Sequence, residues 1–362
     1  MTDPRSLVER WVRPEVRALQ AYAVPSSDGL LKMDAMENPY PWPASMVADW
    51  QQRLQSASLN RYPDASAASL KARLRETMGI ADECELLLGN GSDEIIQLLA
   101  MALAAPDRLL LAPEPGFVMY RMIATFTGMR YAGVPLDENF DLDLAAMLAL
   151  IERDQPALIF LALPNNPTGN LFSADRVRAI IEASEGLVVL DEAYTAFTDA
   201  DHLDLLSYPN VLVMRTLSKV GLAGLRLGIL IGRSEWLQEL DKLRLPYNIN
   251  VLTQLSAEFA LDHYDVLMAQ TREIRRERET LYSALQDIAD VQVWPSDANF
   301  LLLRCAQARA VHAHMKEQGV LIKCLDGAHP MLSDCLRFTV GAPAENERLL
   351  ATFQAALAAT AG

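Results

Sequence analysis

The chain has 362 residues, 51% of them hydrophobic and 22% charged, a globular composition that argues against a disordered or low-complexity protein. Lys plus Arg number 32 against 47 Asp plus Glu, and the net charge of −15, with no basic run, argues against a nucleic-acid or anionic-lipid surface. The length exceeds one core of ordinary size, so two domains are expected.

In chain order, the first 44 residues carry Pro14, Pro25, Pro39, Pro41 and Pro43 and cannot form one regular element. Residues 1–44 are therefore expected to be an arm that packs on a small domain or on a second subunit. From about residue 84, short apolar runs alternate with amphipathic helical ones. ELLL (85–88) precedes GNGSDEIIQLLAMALA, RLLLA (108–112) precedes FVMYRMIATFTG, and PALIFLALP (156–164) precedes SADRVRAIIEAS. LVVLDEAY (187–194), NVLVMRTLS (210–218) and LGILIG (227–232) follow. Runs of this length between helices mark strands buried on both faces of a largely parallel sheet. Residues 45–265 thus read as a large α/β domain. Residues 266–362 read as a smaller α+β domain, with a long polar helix and then the strand-like VQVW, NFLLLRC, GVLIKC and CLRFTVG.

The N-terminus lacks a cationic stretch followed by an apolar one, and no apolar run nears the roughly 18 residues of a membrane span. Cys84, Cys305, Cys324 and Cys335 are scattered and read as reduced thiols. The five histidines show no metal-ligand spacing, so no metal is expected. A soluble, cytoplasmic protein is the expectation.

In an open parallel sheet, ligands bind beyond the carboxyl ends of the strands. After ELLL come Gly89, Gly91 and Ser92, opening a helix that offers free N–H groups to an anion, or else an ordinary turn with Ser92 as its cap. PALIFLALP is followed by Asn166, held extended by Pro167. LVVL is followed by Asp191 and Tyr194, and NVLVMRTLS by Lys219. Alone, Lys219 is a strand-end charge facing solvent. Together, an amine, a carboxylate, an amide with a phenol, and an anion cradle are what pyridoxal phosphate (PLP) requires: covalent attachment, a partner for its pyridine nitrogen, donors for its phenolic oxygen, and a phosphate site.

The motifs DAMENPYPWP (34–43), NRYPD (60–64), GNGSDE (89–94), PEPGFVMY (113–120), LPNNPTGN (163–170), DEAY (191–194), TLSKVGLAGLRLG (216–228), DANFLLLR (297–304) and CLRFTVGAPAEN (335–346) span nearly the whole chain. In these the chain resembles the fold-type I PLP-dependent aminotransferases, and within them the histidinol-phosphate branch. The resemblance implies a large domain built on a mostly parallel seven-stranded sheet sandwiched by helices, plus a smaller α+β domain and the arm. It implies that Lys219 bonds PLP covalently and shuttles a proton, that Asp191 pairs with the ring nitrogen, and that Asn166 and Tyr194 hold the phenolic oxygen. Phe117 would stack on the ring, and Gly91, Ser92, Asp93, Ser218 and Arg226 would hold the phosphate. Tyr62 would reach the phosphate in the neighbouring subunit, making the active unit a homodimer with shared sites. Arg337 would bind the anionic end of each substrate, with Tyr22, Asn299 and Lys323 as further substrate contacts. Lys323 stands where many family members carry a second arginine, a point charge in place of a fork. The loop from Lys219 to Arg226 is one residue shorter than usual, which raises the question of how Arg226 reaches the phosphate.

The implied reaction moves an amino group between L-histidinol phosphate and 2-oxoglutarate, in a ping-pong cycle, in histidine biosynthesis. Aromatic amino acid transamination, or decarboxylation of a phosphorylated amino acid, would use most of the same cofactor residues. A transcription regulator of this fold would need an extra N-terminal DNA-binding domain, for which about 45 residues leave no room.

Overall fold

A computed structural model describes residues 3–21 and 23–360. The arm begins with helices Pro4–Trp11 and Pro14–Arg17, neither of which buries a residue. Arg13 between them donates to the Phe126 carbonyl, and Trp11 is 71% exposed. The arm then runs into β1 (Leu31–Lys32), which pairs in parallel with β11 (Val320–Leu321) of the C-terminal region.

Seven strands form the large sheet: β2 (Glu85–Asn90), β3 (Leu109–Glu114), β4 (Arg130–Pro135), β5 (Leu158–Ala162), β6 (Leu187–Asp191), β7 (Val211–Thr216) and β8 (Leu227–Gly232). Their order is β2-β8-β7-β6-β5-β3-β4, and β8 runs antiparallel to both its neighbours, β2 and β7, while the other pairs are parallel. Strand alternation divides the apolar side chains cleanly between two layers. Ile159, Leu161, Val188, Leu190, Val211 and Val213 join one core, while Leu158, Phe160, Leu187, Val189, Leu212 and Met214 join the other. Both faces are covered by helices, which is why these strands read as unbroken apolar runs. The edge strand β4 has no such run: Arg130 is exposed and Val134 alone is buried, so its sequence lacks the signal that marks the other six.

A third core belongs to the C-terminal region, where β9 (Val291–Val293), β10 (Phe300–Cys305), β12 (Lys323–Cys324) and β13 (Cys335–Thr339) make an antiparallel sheet. The single run GVLIKC splits between β11 and β12, which belong to different sheets. The expected boundary at residue 265 falls in the first turn of one continuous helix, Tyr264–Gln286, whose Ile274, Leu281 and Leu285 enter the third core. Met33 and Met36 of the arm and Tyr194 of the large-sheet region are buried in that same core. The arm, the loop after β6 and the C-terminal sheet thus meet along one seam.

Candidate active site

A cavity of about 390 Å³ opens at this seam, beyond the carboxyl ends of the parallel strands. Ser92, Asp93, Phe117, Asn166, Asp191, Tyr194, Ser218, Lys219 and Arg226 line it, so nine of the sequence-derived site residues converge there.

Pairing brings the strand ends level. Asp191 lies opposite Ala162 on β5 and Met214 on β7, so the loops bearing Asn166, Tyr194 and Lys219 leave the sheet side by side. Asp191 is buried; its Oδ2 accepts from the Tyr120 hydroxyl at 2.6 Å and its Oδ1 from the Ala193 N–H at 3.2 Å. Burial pushes this carboxyl up to about 6, against the lowering effect of those two hydrogen bonds. Asn166 Nδ2 donates to the Tyr194 hydroxyl at 2.9 Å, and burial holds that phenol above its ordinary range despite the nearby Arg337 charge.

Lys219 sits in a 3₁₀ turn immediately after β7, its Nζ 3.3 Å from the Ala35 carbonyl and 5.8 Å from the Tyr194 ring centre. Burial, with Arg337 and Arg226 adding to it, brings the amine down to about 8, while Glu37 and Asp93 act in the opposite direction. With that pKa about half of the amines are uncharged near pH 8, and the uncharged amine is the nucleophile.

The anion cradle differs from the capped turn in one respect. Gly91, not Ser92, occupies the capping position, at φ +80°, and among the described residues no side chain accepts from the first-turn N–H groups of helix Ser92–Leu103. Glu94 turns away and accepts from Asn90 N–H and Asn248 Nδ2. The short loop also resolves. Two 3₁₀ turns, Ser218–Val220 and Ala223–Leu225, are joined through Gly221 at φ +105°, and Arg226 itself takes a left-handed conformation at φ +51°. Because β8 runs antiparallel to β2, with Asn90 opposite Leu227, Arg226 emerges beside Gly91. A Cβ on Gly91 would lie 2.5 Å from the Arg226 guanidinium, and Arg226 pairs with Asp93 at 3.4 Å. Ser218 Oγ lies 2.9 Å from Thr216 Oγ1, placing two hydroxyls beside the cradle.

The remaining expected residues lie elsewhere. Arg337 stands beside the cavity, not among its lining residues, donating to Asn166 Oδ1 at 2.5 Å and to the Asp34 carbonyl at 2.8 Å. Asn299 is fully buried behind the wall, where its Nδ2 donates to the Met36 carbonyl. Lys323 lies opposite Arg337 on the neighbouring strand and outside the cavity. Tyr62 is 80% exposed and stacks on Tyr247, also away from the cavity of its own chain. Tyr22 lies outside the described residues.

Three contributors were not legible as site residues. Tyr120 closes the PEPGFVMY stretch, but only the fold shows its hydroxyl on Asp191 and its ring stacked on Phe160 at 4.5 Å. Thr216 reads as a strand residue. Glu37 sits in the DAMENP motif with no periodicity to distinguish it, yet it lines the cavity with Ala35 and Met36.

This donor set fits PLP. The buried Asp191 carboxylate has two hydrogen-bond donors but, among the described residues, no adjoining cation, which a pyridinium nitrogen would supply. An amide and a phenol lie together, an amine has its pKa depressed, and the glycine cradle adjoins an arginine and two hydroxyls. Two outcomes follow. The apoprotein is expected to take up PLP with a rate that rises with pH through a midpoint near 8, not near the 10.5 of an ordinary lysine; stopped-flow absorbance between pH 6 and 10 checks this. Tyr120→Phe keeps the stacked ring but removes a hydrogen bond to a buried charge, and is expected to weaken PLP binding about tenfold, measured by equilibrium titration of the apoprotein.

Comparison with known proteins agrees with the geometry. The family model described as aminotransferase class I and II matches residues 29–353. A histidinol-phosphate aminotransferase of Nitrosococcus oceani is 53% identical over 98% of this chain and 99% of its own. One from Chromobacterium violaceum is 50% identical over 96% of this chain and 98% of its own. The crystal structure of histidinol-phosphate aminotransferase from Sinorhizobium meliloti in complex with pyridoxal-5'-phosphate superposes with a TM-score of 0.86 at 24% identity, covering 96% of this chain and 98% of that one, a likeness of fold. By sequence over nearly its whole length, the chain belongs to the class I and II aminotransferases, in the histidinol-phosphate aminotransferase branch.

Proposed function

We propose that this enzyme transfers an amino group between L-histidinol phosphate and 2-oxoglutarate, with PLP as its cofactor, in the biosynthesis of histidine. The observation that carries the reading is the convergence of Lys219, Asp191, Asn166, Tyr194 and the Gly91–Arg226 cradle on one cavity in a chain about half identical to histidinol-phosphate aminotransferases.

PLP, when bound, supplies the electron sink that lets the substrate carbon lose and regain a proton. The chain supplies the rest. Lys219 is the covalent anchor, and its Nζ carries the proton to and from the substrate carbon. Asp191, fixed by Tyr120 and the Ala193 N–H, keeps a negative charge where the ring nitrogen needs it. Asn166 and Tyr194 would hold the phenolic oxygen, and Phe117 would pack against the ring. The Ser92 helix start, Ser218, Thr216 and Arg226 take the phosphate, with Arg226 exchanging its Asp93 pairing for the anion. Arg337, one hydrogen bond behind Asn166, exchanges the Asp34 carbonyl for the anionic end of either substrate in turn. One site serving two substrates in succession requires a ping-pong cycle.

The active unit is a soluble, cytoplasmic homodimer. Tyr62 supports this reading, because a tyrosine that is 80% exposed and outside its own cavity can complete a neighbour's phosphate site. The exposed Trp11, Val8 and Leu7 of the first helix support it as well, since they need a cover. Among the described residues no helix is long and apolar enough to cross a membrane.

Purified holoenzyme is expected to convert histidinol phosphate in a half-reaction followed by the loss of the bound-cofactor absorbance, and Lys219→Ala to lack that absorbance. Turnover of phenylalanine or tyrosine far exceeding that of histidinol phosphate would overturn the substrate assignment. Sedimentation equilibrium is expected to give twice the 40.1 kDa chain mass, and Tyr62→Phe to weaken PLP binding about tenfold. A monomer that binds PLP normally would refute the shared site.

A further inference from the structure

One wall of the cavity is the segment Ala35–Met36–Glu37. It is held with unusual care. Met36 adopts a left-handed conformation at φ +55°, which a residue with a long side chain rarely adopts without support. The support comes from both sides: the Met36 N–H donates to Thr339 Oγ1 at 3.1 Å, and its carbonyl accepts from the buried Asn299 at 3.0 Å. Asn38 then ties the far end to the Val220 carbonyl and to Gln270. A strained residue fixed by two side chains of the C-terminal region, Thr339 at the end of β13 and Asn299 just before β10, and followed by an anchored asparagine, sets the direction of the one residue between them, Glu37.

Three carboxylates line the cavity. Asp191 lies on the floor, and Asp93 pairs with Arg226 in the phosphate cradle. Of the three, Glu37 alone stands on the Ala35–Met36–Glu37 wall, near enough for its charge to act on the Lys219 amine. Its salt-bridge partner is Lys32, at 2.5 Å, which is not among the lining residues. A carboxylate on that wall works against a dicarboxylate such as glutamate. It favours a substrate whose side chain presents an N–H donor, and the imidazole ring of histidinol phosphate does so in either protonation state.

We propose that Glu37 is the specificity residue for the imidazole ring, accepting a hydrogen bond from a ring N–H, with Lys32 holding the carboxylate when no ring is bound. This rests on the substrate assignment above. Glu37 is half-exposed in the open cavity, its side chain 49% accessible, so the discrimination comes from a bound ring that covers the carboxylate: an analogue without the N–H then leaves the covered acceptor without its partner.

The test uses single-turnover half-reactions of the holoenzyme with histidinol phosphate, with the phosphate ester of phenylalaninol, which lacks a ring N–H, and with glutamate. For Glu37→Ala, kcat/KM for histidinol phosphate is expected to fall about tenfold or more further than for either other substrate. Glu37→Gln keeps an accepting oxygen and is expected to retain more of the preference than Glu37→Ala, most clearly above the ring pKa, where no charge pairing is lost. Equal falls on all three substrates would make Glu37 a support of its segment and overturn the proposal, as would an unchanged preference. A wild-type enzyme that reacts with glutamate but not with histidinol phosphate would instead refute the substrate assignment, and the role of Glu37 with it.

Discussion

The site depends on the register of three parallel strands. Ala162 of β5, Asp191 of β6 and Met214 of β7 lie opposite one another, so the loops that leave these strands rise from one level of the sheet. A parallel sheet places all its carboxyl ends on one side, and the pleat then decides which side chain faces which layer. A slip of one residue in β6 would turn Asp191 to the opposite face and exchange the two apolar cores that Val188 and Val189 enter. The deep burial of these strands is therefore what positions the chemistry, and the apolar runs that make the core also fix the carboxylate.

Charges in the cavity are held in costly places. Asp191 is buried and Lys219 half-buried, and the loss of solvent moves each toward its neutral form, the amine to about 8 and the carboxyl to about 6. The neighbouring residue shows the contrast. Glu192, next in sequence to Asp191, is also buried, but it accepts from Arg215 at 2.7 Å and lies 2.7 Å from His202 Nδ1. Its charge is answered within the fold and ties the loop to β7, whereas the Asp191 charge has only two hydrogen-bond donors. A buried charge left without an ionic partner is expensive to maintain, and in an enzyme it marks where a ligand belongs.

Much of this was legible in the residues. Six of the seven large-sheet strands announce themselves as apolar runs, and the residues immediately beyond them, Asn166, Asp191, Tyr194 and Lys219, are polar in a way that packing does not require. The edge strand β4 escaped because a half-exposed strand carries no such run. GVLIKC reads as one strand, but only pairing partners could divide it between two sheets. Tyr120 was hidden for a related reason: its ring has the periodicity of a core residue, and its hydroxyl finds Asp191 only across 71 positions of chain.

The sequence by itself determined the class of the fold and the chemical identity of the site, because strand burial and the residue types at strand ends are local properties of the chain. Only the tertiary structure decided how the pieces meet. Arg226 reaches the Gly91 cradle because one strand, β8, runs antiparallel beside β2, and this brings a residue 135 positions away to the glycine's side. Arg337 proves to stand behind Asn166 instead of at the cavity surface, and Asn299 grips the backbone of Met36. Both outcomes depend on how the C-terminal sheet docks against the arm, a packing of three separate segments that no local pattern encodes.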